Sequence, residues 1–346
     1  MIQKLGPGLL FAGAAIGVSH LVQCTRSGAD FGFGLLWALL IIQLIKYPFF
    51  QYGPRYASAT GESLLEGYQK LGKGILKIYG ILTFFTMFTI QSAVSIVTAG
   101  IATTIFGDLI SVKIWTVVIL SLCFIILNIG KYKLLDVLIK VIVITLTLTT
   151  LAATLIVFCN FNGTIQIAQY VPKGSIEITF LIAFMGWMPA PLDISVWHSI
   201  WTIEKERNSV NKLDSKTTLL DFNIGYIGTI VLGICFVSLG ALTMHATGTS
   251  FSSSAGVFSV QFIEMYTQNI GSWAYLLIGV AALTTMFSTT ITTLDASPRT
   301  MNKTIELIFR KRLKKGYLWW SLALILGTLI IIFFALLRYC ISVTTT

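Results

Sequence analysis

The chain has 346 residues, 55% of them hydrophobic and 11% charged, with a mean hydropathy of +0.83 and a formal net charge of +10. Soluble domains carry about 25% charged and about 45–50% apolar residues, which excludes an ordinary cytosolic enzyme. A disordered chain is excluded too, because it needs low hydrophobicity and high charge.

A helix needs about 20 apolar residues to cross the hydrocarbon core, and such runs recur along the whole chain. Nine segments are predicted, near residues 7–29, 32–53, 75–105, 112–129, 133–158, 178–203, 218–245, 272–297 and 317–339. Alternating ten-residue strands are lacking, so a transmembrane barrel is not expected. The basic residues sit in every second loop. Arg55, Lys70, Lys73 and Lys77 follow segment 2, Lys131 and Lys133 follow segment 4, and Lys205, Arg207, Lys212 and Lys216 follow segment 6. Arg299, Lys303, Arg310, Lys311, Arg312, Lys314 and Lys315 follow segment 8. Stretches 106–111 and 246–271 hold no Lys or Arg, and 159–177 holds only Lys173. Positive loops stay inside, which places the N-terminus in the cytoplasm, and no cleavable signal peptide is evident. The basic balance is therefore read as a topology signal, with no nucleic-acid partner.

Two segments are interrupted. Segment 1 reads Gly13-Ala14-Ala15-Ile16-Gly17-Val18-Ser19-His20, and segment 6 reads Gly186-Trp187-Met188-Pro189-Ala190-Pro191-Leu192-Asp193. Glycine weakens a helix, and two prolines one residue apart remove backbone donors. One break in the first helix of each half is the mark of an inverted repeat with a substrate site between the breaks. Unwound backbone at membrane depth is tolerated where it lines protein or a cavity.

Polar residues near the breaks are the candidate site. Asp193 lies about 22 Å along segment 6 if helical, and a carboxylate at that depth is a functional hypothesis by default. His20 lies at similar depth in segment 1 and can ligate metal or carry a proton; Ser19 and Gln23 flank it. His198, five residues beyond Asp193, is a candidate for passing protons inward. Gln91 reads as structural. Asp136 with Lys140, and Asp295 with Arg299, have the i,i+4 spacing of neutralising pairs. Asp221 is expected to cap or pair, and the Ser/Thr run from Thr284 to Thr293 reads as close helix packing. The five scattered cysteines, Cys24, Cys123, Cys159, Cys235 and Cys340, indicate neither zinc nor a disulfide framework. No phosphate loop, HExxH or GxSxG occurs, so neither an ATP-driven pump domain nor a hydrolase is expected, and no cofactor is implied.

Gly6-Pro7-Gly8, the break at Gly17, Gly28-Ala29-Asp30-Phe31-Gly32-Phe33-Gly34-Leu35-Leu36-Trp37, Arg55, Thr60-Gly61-Glu62-Ser63-Leu64, Met188-Pro189 and His198-Ser199 together resemble the Nramp family of divalent metal-ion transporters. The resemblance implies an all-α polytopic membrane protein with the LeuT-type inverted repeat, importing manganese or iron with protons. It divides the chain into a first repeat at 1–173 and a second at 174–346. The family's first break reads Asp-Pro-Gly-Asn, and Gly17, Val18, Ser19 and His20 stand there in this chain. The family's Met-Pro-His becomes Met188-Pro189-Ala190, while anchoring on His198-Ser199 puts Asp193 at the histidine position. The implied metal ligands are Asp193, His20 and Met188, with Gly17, Ser19, Gln23 and Trp187 completing the substrate site. With Met188 facing the ion, manganese or iron fits; without it, a more hydrated ion such as magnesium fits. The alternative is an ion-coupled carrier of a small organic solute such as an amino acid. A five-plus-five repeat has a tenth segment, which the nine segments do not supply. A shortened transporter, weak alone, or a homodimer covering the groove, is the expectation that follows. The setting is the plasma (inner) membrane.

Overall fold

The computed structural model of the chain describes residues 6–107, 110–161, 163–207, 215–252 and 254–344; at 130–136, 138, 255, 268–270, 274, 277 and 335–344 the backbone alone is described. Among the described residues regular structure is all helical. By length and composition, six helical stretches among them can cross a membrane.

The first span, Pro7–Phe31, is broken. Helix α1 (Pro7–Ala15) opens with proline at its first position, where a missing N–H leaves no bond unmade. A π-helical stretch, Val18–Cys24, follows the break and runs into α2 (Thr25–Phe31). Gly32, at φ +57°, turns the chain towards α3 (Leu36–Thr60). A capping box of Ser63 and Glu66 starts α4 (Leu64–Leu71), and α5 spans Lys73–Phe106. Helical backbone α6 (Val112–Asn160) carries two apolar arms, Val112–Ile129 and Ile139–Asn160.

The arms run in opposite directions. Trp115 stacks on Phe106 at the far end of α5. Ile139 and Val143, by contrast, pack beside Gly13 of α1, and Thr154 lies beside Cys235, well along the span that follows the sixth. The chain reverses between the arms, so segments 4 and 5 are two spans as expected. The side chains of Lys131, Lys133 and Asp136 lie outside the described residues.

The sixth span is α7 (Ser175–Trp187), a break, and α8 (Asp193–Arg207). Then come α9 (Ser215–Thr243), α10 (Ala255–Ile270), α11 (Ala274–Phe309) and α12 (Gly316–Thr344). The sequence read 54–74 and 246–271 as loops, and the structure puts α4 and α10 there. Both are too short to register as spans. Leu64 and Leu65 of α4 bury against Leu76 and Val196 in a small satellite core.

The bundle is apolar outside as well as inside. Leu44 is 72% exposed, and Phe85, Ile182 and Leu148 are similarly bare, as lipid-facing side chains must be. The first span is by contrast buried almost throughout. Two glycine crossings bring it against α9. A Cβ on Gly225 would stand 2.2 Å from the Gly8 carbonyl oxygen, and one on Gly240 would stand 2.2 Å from that of Thr25. Small residues let membrane helices approach to backbone contact. Asp221 fixes the start of α1 by accepting from the amides of Gly6 at 3.1 Å and Gly8 at 2.9 Å, the capping role its position suggested.

Candidate substrate site between the two breaks

Helix α1 stops at Ala15, and Ile16 (φ −82°, ψ 79°) and Gly17 (φ −145°, ψ −121°) leave the helical path. Carbonyls at the broken end lose their normal partners. Helix α11 supplies substitutes. Ser288 donates to Gly13 O at 3.1 Å, and the Thr289 hydroxyl stands 3.1 Å from Gly13 O and 3.3 Å from Ile16 O. A Cβ on Gly17 would lie 2.3 Å from Thr289 Oγ1, so glycine is what lets α11 come this close.

In the sixth span, Pro189 and Pro191 bring no N–H to the end of α7. Lys46, buried within α3, reaches across instead. Its Nζ donates to Met185 O at 2.9 Å, Gly186 O at 2.8 Å, Met188 O at 2.8 Å and Ala190 O at 3.3 Å. The sequence reading passed over Lys46, although a lone cation inside an apolar run was the available signal.

Between the breaks lies a cavity of about 20 Å³, lined by Ser19, Trp187, Ala190, Pro191, Thr289 and Thr293 among others, with room for about one water. Thr293 donates to Gln91 Oε1 at 2.6 Å, and Gln91 Nε2 reaches Thr290 O at 3.3 Å. Gln91 therefore ties α5 to α11, the structural role expected for it.

Of the expected site residues, Gly17 forms the first break, and Ser19 and Trp187 line the cavity. The three expected metal ligands do not converge on it. His20 is fully buried, its Nε2 donating to Thr229 O at 2.9 Å and its Nδ1 2.7 Å from Ser19 Oγ. Thr229 O can only accept, so Nε2 carries the proton, and both ring nitrogens are engaged inside the protein. Met188 turns its sulfur to Cys24, whose Sγ–H donates to it at 3.4 Å. Asp193 starts α8 and faces α5, with Thr86 Oγ1 at 3.4 Å and the Tyr79 hydroxyl near but without a hydrogen bond of normal geometry. Gln23 leaves its Oε1 buried and unpartnered away from the cavity lining. For His20 and Gln23 the physical reason is the π-helical path of Val18–Cys24. It turns successive side chains differently from the α geometry assumed when residues are placed by counting. Met188 and Asp193 stand on opposite sides of the proline break, one capping the end of α7 and the other starting α8. Among the described residues no three His, Cys, Asp or Glu side chains group as a metal site.

His198 is fully buried with neither ring nitrogen bonded. It stacks on Phe11 at 5.7 Å and tilts against Phe222 at 5.7 Å. Five residues at about 100° each put it some 140° around α8 from Asp193, so the two face different helices, and no hydrogen bond leaves it to carry a proton inward. The expected Asp295–Arg299 pair is present, with Arg299 Nε donating at 2.8 Å. Trp201 and Tyr317 also donate to the Asp295 carboxylate, at 3.2 and 3.0 Å, which closes the bundle on the basic face below the cavity.

Two discontinuous spans that meet at a small buried cavity, apolar but for the Ser19, Thr289 and Thr293 hydroxyls, inside a bundle of membrane-length apolar helices fit an integral membrane protein of the transporter class. The chain matches the family model for natural resistance-associated macrophage protein-like sequences over residues 8–344; it belongs to the Nramp family. It is 39% identical over 313 residues to an uncharacterised protein of Pasteurella multocida (strain Pm70), a match covering 89% of this chain and 72% of that one. Its fold is similar to that of the Eremococcus coleocola manganese transporter, with a TM-score of 0.67 at 14% identity over 99% of this chain and 72% of the other. It is also similar to Mhp1, a nucleobase-cation-symport-1 family transporter, with a TM-score of 0.65 at 14% identity over 94% of this chain and 72% of the other.

Proposed function

We propose that the chain is a secondary transporter that moves a hard divalent cation, magnesium or manganese, through the space between the two breaks. The observation that carries this reading is the cavity's donor set within a family of metal-ion transporters. Among otherwise apolar walls the Ser19, Thr289 and Thr293 hydroxyls offer oxygen, and the Met188 sulfur is committed to Cys24. Oxygen ligands suit magnesium and manganese, and thioether and thiolate favour softer ions. A cavity this small accepts an ion only when the spans move apart, as alternating access requires.

Asp193 is the carboxylate that starts α8, directly after the second break. In this reading it supplies the negative charge that draws the cation in and takes up the coupling proton. The two halves, 1–173 and 174–346, act as the moving repeats. The face with Lys70, Lys73, Arg207 and Lys303 is cytoplasmic by the excess of positive charge, in a plasma membrane. Uptake of magnesium and manganese into proteoliposomes tests the reading against an amino-acid panel. Asp193→Asn is expected to lower cation uptake at least tenfold while leaving the thermal unfolding profile in detergent unchanged. Full uptake in that variant removes Asp193 from the mechanism, and uptake of an amino acid but no metal replaces the substrate class.

A further inference from the structure

The carbonyl cluster at the second break has the chemistry of a cation site. Met185, Gly186, Met188 and Ala190 direct four oxygens at one point from 2.8 to 3.3 Å away. They lie at the C-terminal, negative end of the α7 dipole, and the prolines beside them cannot supply donors. The spacing is wider than the about 2.0–2.6 Å that magnesium or calcium demands of its oxygens. It suits a larger monovalent ion held by backbone carbonyls in place of its water shell. Among the described residues no carboxylate pairs with Lys46, whose contacts are the four carbonyls.

We propose that this cluster is a monovalent-cation site of potassium or ammonium size, and that the chain fills it permanently with the Lys46 ammonium as a tethered ion. A lysine needed only as a tethered hydrogen-bond donor leaves, once removed, a loss that no dissolved ion repairs. A lysine acting as a bound ion is replaceable by a free ion of the same size, and that difference separates the two roles. Ala190 contributes its carbonyl to Lys46 and also lines the cavity, so the tethered charge and the cavity share a residue of the second break. The bundle also needs no dissolved alkali ion to hold the break together.

The test uses the full chain purified in detergent and reads stability, so it stands apart from the metal-transport reading. Thermal unfolding is followed in potassium, sodium, methylammonium or the bulky cation N-methylglucamine at equal ionic strength. The native chain is expected to melt at the same temperature in all four. Lys46→Ala is expected to melt lower by about 5 °C or more in N-methylglucamine and to recover saturably with potassium or methylammonium. Lys46→Met fills the volume without charge; it is expected to melt low in every salt. Lys46→Arg, which keeps a cation, is expected to lose less than Lys46→Met. The proposal is overturned if Lys46→Ala melts alike in potassium and N-methylglucamine, if Lys46→Ala cannot be purified even in potassium, or if Lys46→Met equals the native chain.

Discussion

The break in the first span and the break in the sixth face each other across one small cavity, yet they are finished with different chemistry. The first is made by Gly17 and satisfied by neutral hydroxyls, Ser288 and Thr289, from α11. The sixth is made by Pro189 and Pro191 and satisfied by a charge, the Lys46 ammonium from α3. Glycine keeps its own N–H and needs only local help for two carbonyls. Two prolines remove donors outright, and a cluster of four aligned carbonyls accumulates enough negative potential to hold a full positive charge. A hydrogen bond to a charged group contributes about 1.5–3 kcal/mol, against about 0.5–1.5 kcal/mol for a neutral one. The second break is therefore the more firmly fixed of the two.

The comparison can be broken most directly at its strong side. Lys46→Met strips four carbonyls of their donor, and each buried group left unsatisfied costs about 1–3 kcal/mol. Among the changes considered it is expected to cost the most stability, about 3 kcal/mol or more, in thermal or denaturant unfolding of the detergent-solubilised chain. Gly17→Ala comes next. Its methyl would meet Thr289 Oγ1 at 2.3 Å, and overpacking of this kind costs about 1–3 kcal/mol. A native melting temperature in that variant would mean that α11 shifts freely at the break. Thr289→Val removes one hydroxyl while Ser288 still serves Gly13 O, so about 1 kcal/mol is expected. A loss from Thr289→Val larger than that from Lys46→Met reverses the ranking of the two breaks.

The smallest effect lies off the site, where α4 is latched to α11. Lys303 Nζ stands 2.6 Å from Glu66 Oε1. Burial pushes the Glu66 carboxyl up, but the bonds from Lys303 and Ser63 outweigh it and hold the group below the usual carboxylate range. A depressed folded value adds stability above the unfolded pKa of about 4.3, and that stability is lost as pH falls through the folded value. The melting gap between the native chain and Glu66→Gln should accordingly be constant above about pH 5 and close below about pH 4. A gap independent of pH would show that the latch acts through packing alone.

Much of the architecture was legible. Apolar runs located the long helices, six of them among the described residues long and apolar enough to cross a membrane, and Gly17 and the Pro189–Pro191 pair located both breaks. Asp221 and the Asp295–Arg299 pair took the capping and pairing roles that their positions implied. The short helices α4 and α10 escaped notice because neither is long enough to read as a span. The site chemistry was less legible. His20, Met188 and Asp193 all sit close to a break in sequence, but each turns to a different neighbour: Thr229, Cys24 and Thr86.

The sequence by itself determined where the helices run and where they stop, because hydrophobic length, missing amide protons and small residues act locally on the backbone. Only the tertiary structure decided which groups complete the broken ends. Lys46 is 139 residues from Met185, and Thr289 is 276 from Gly13. Such partners are chosen by the direction of a side chain across the bundle, and a π-helical turn or a proline kink changes that direction without changing the spacing along the chain.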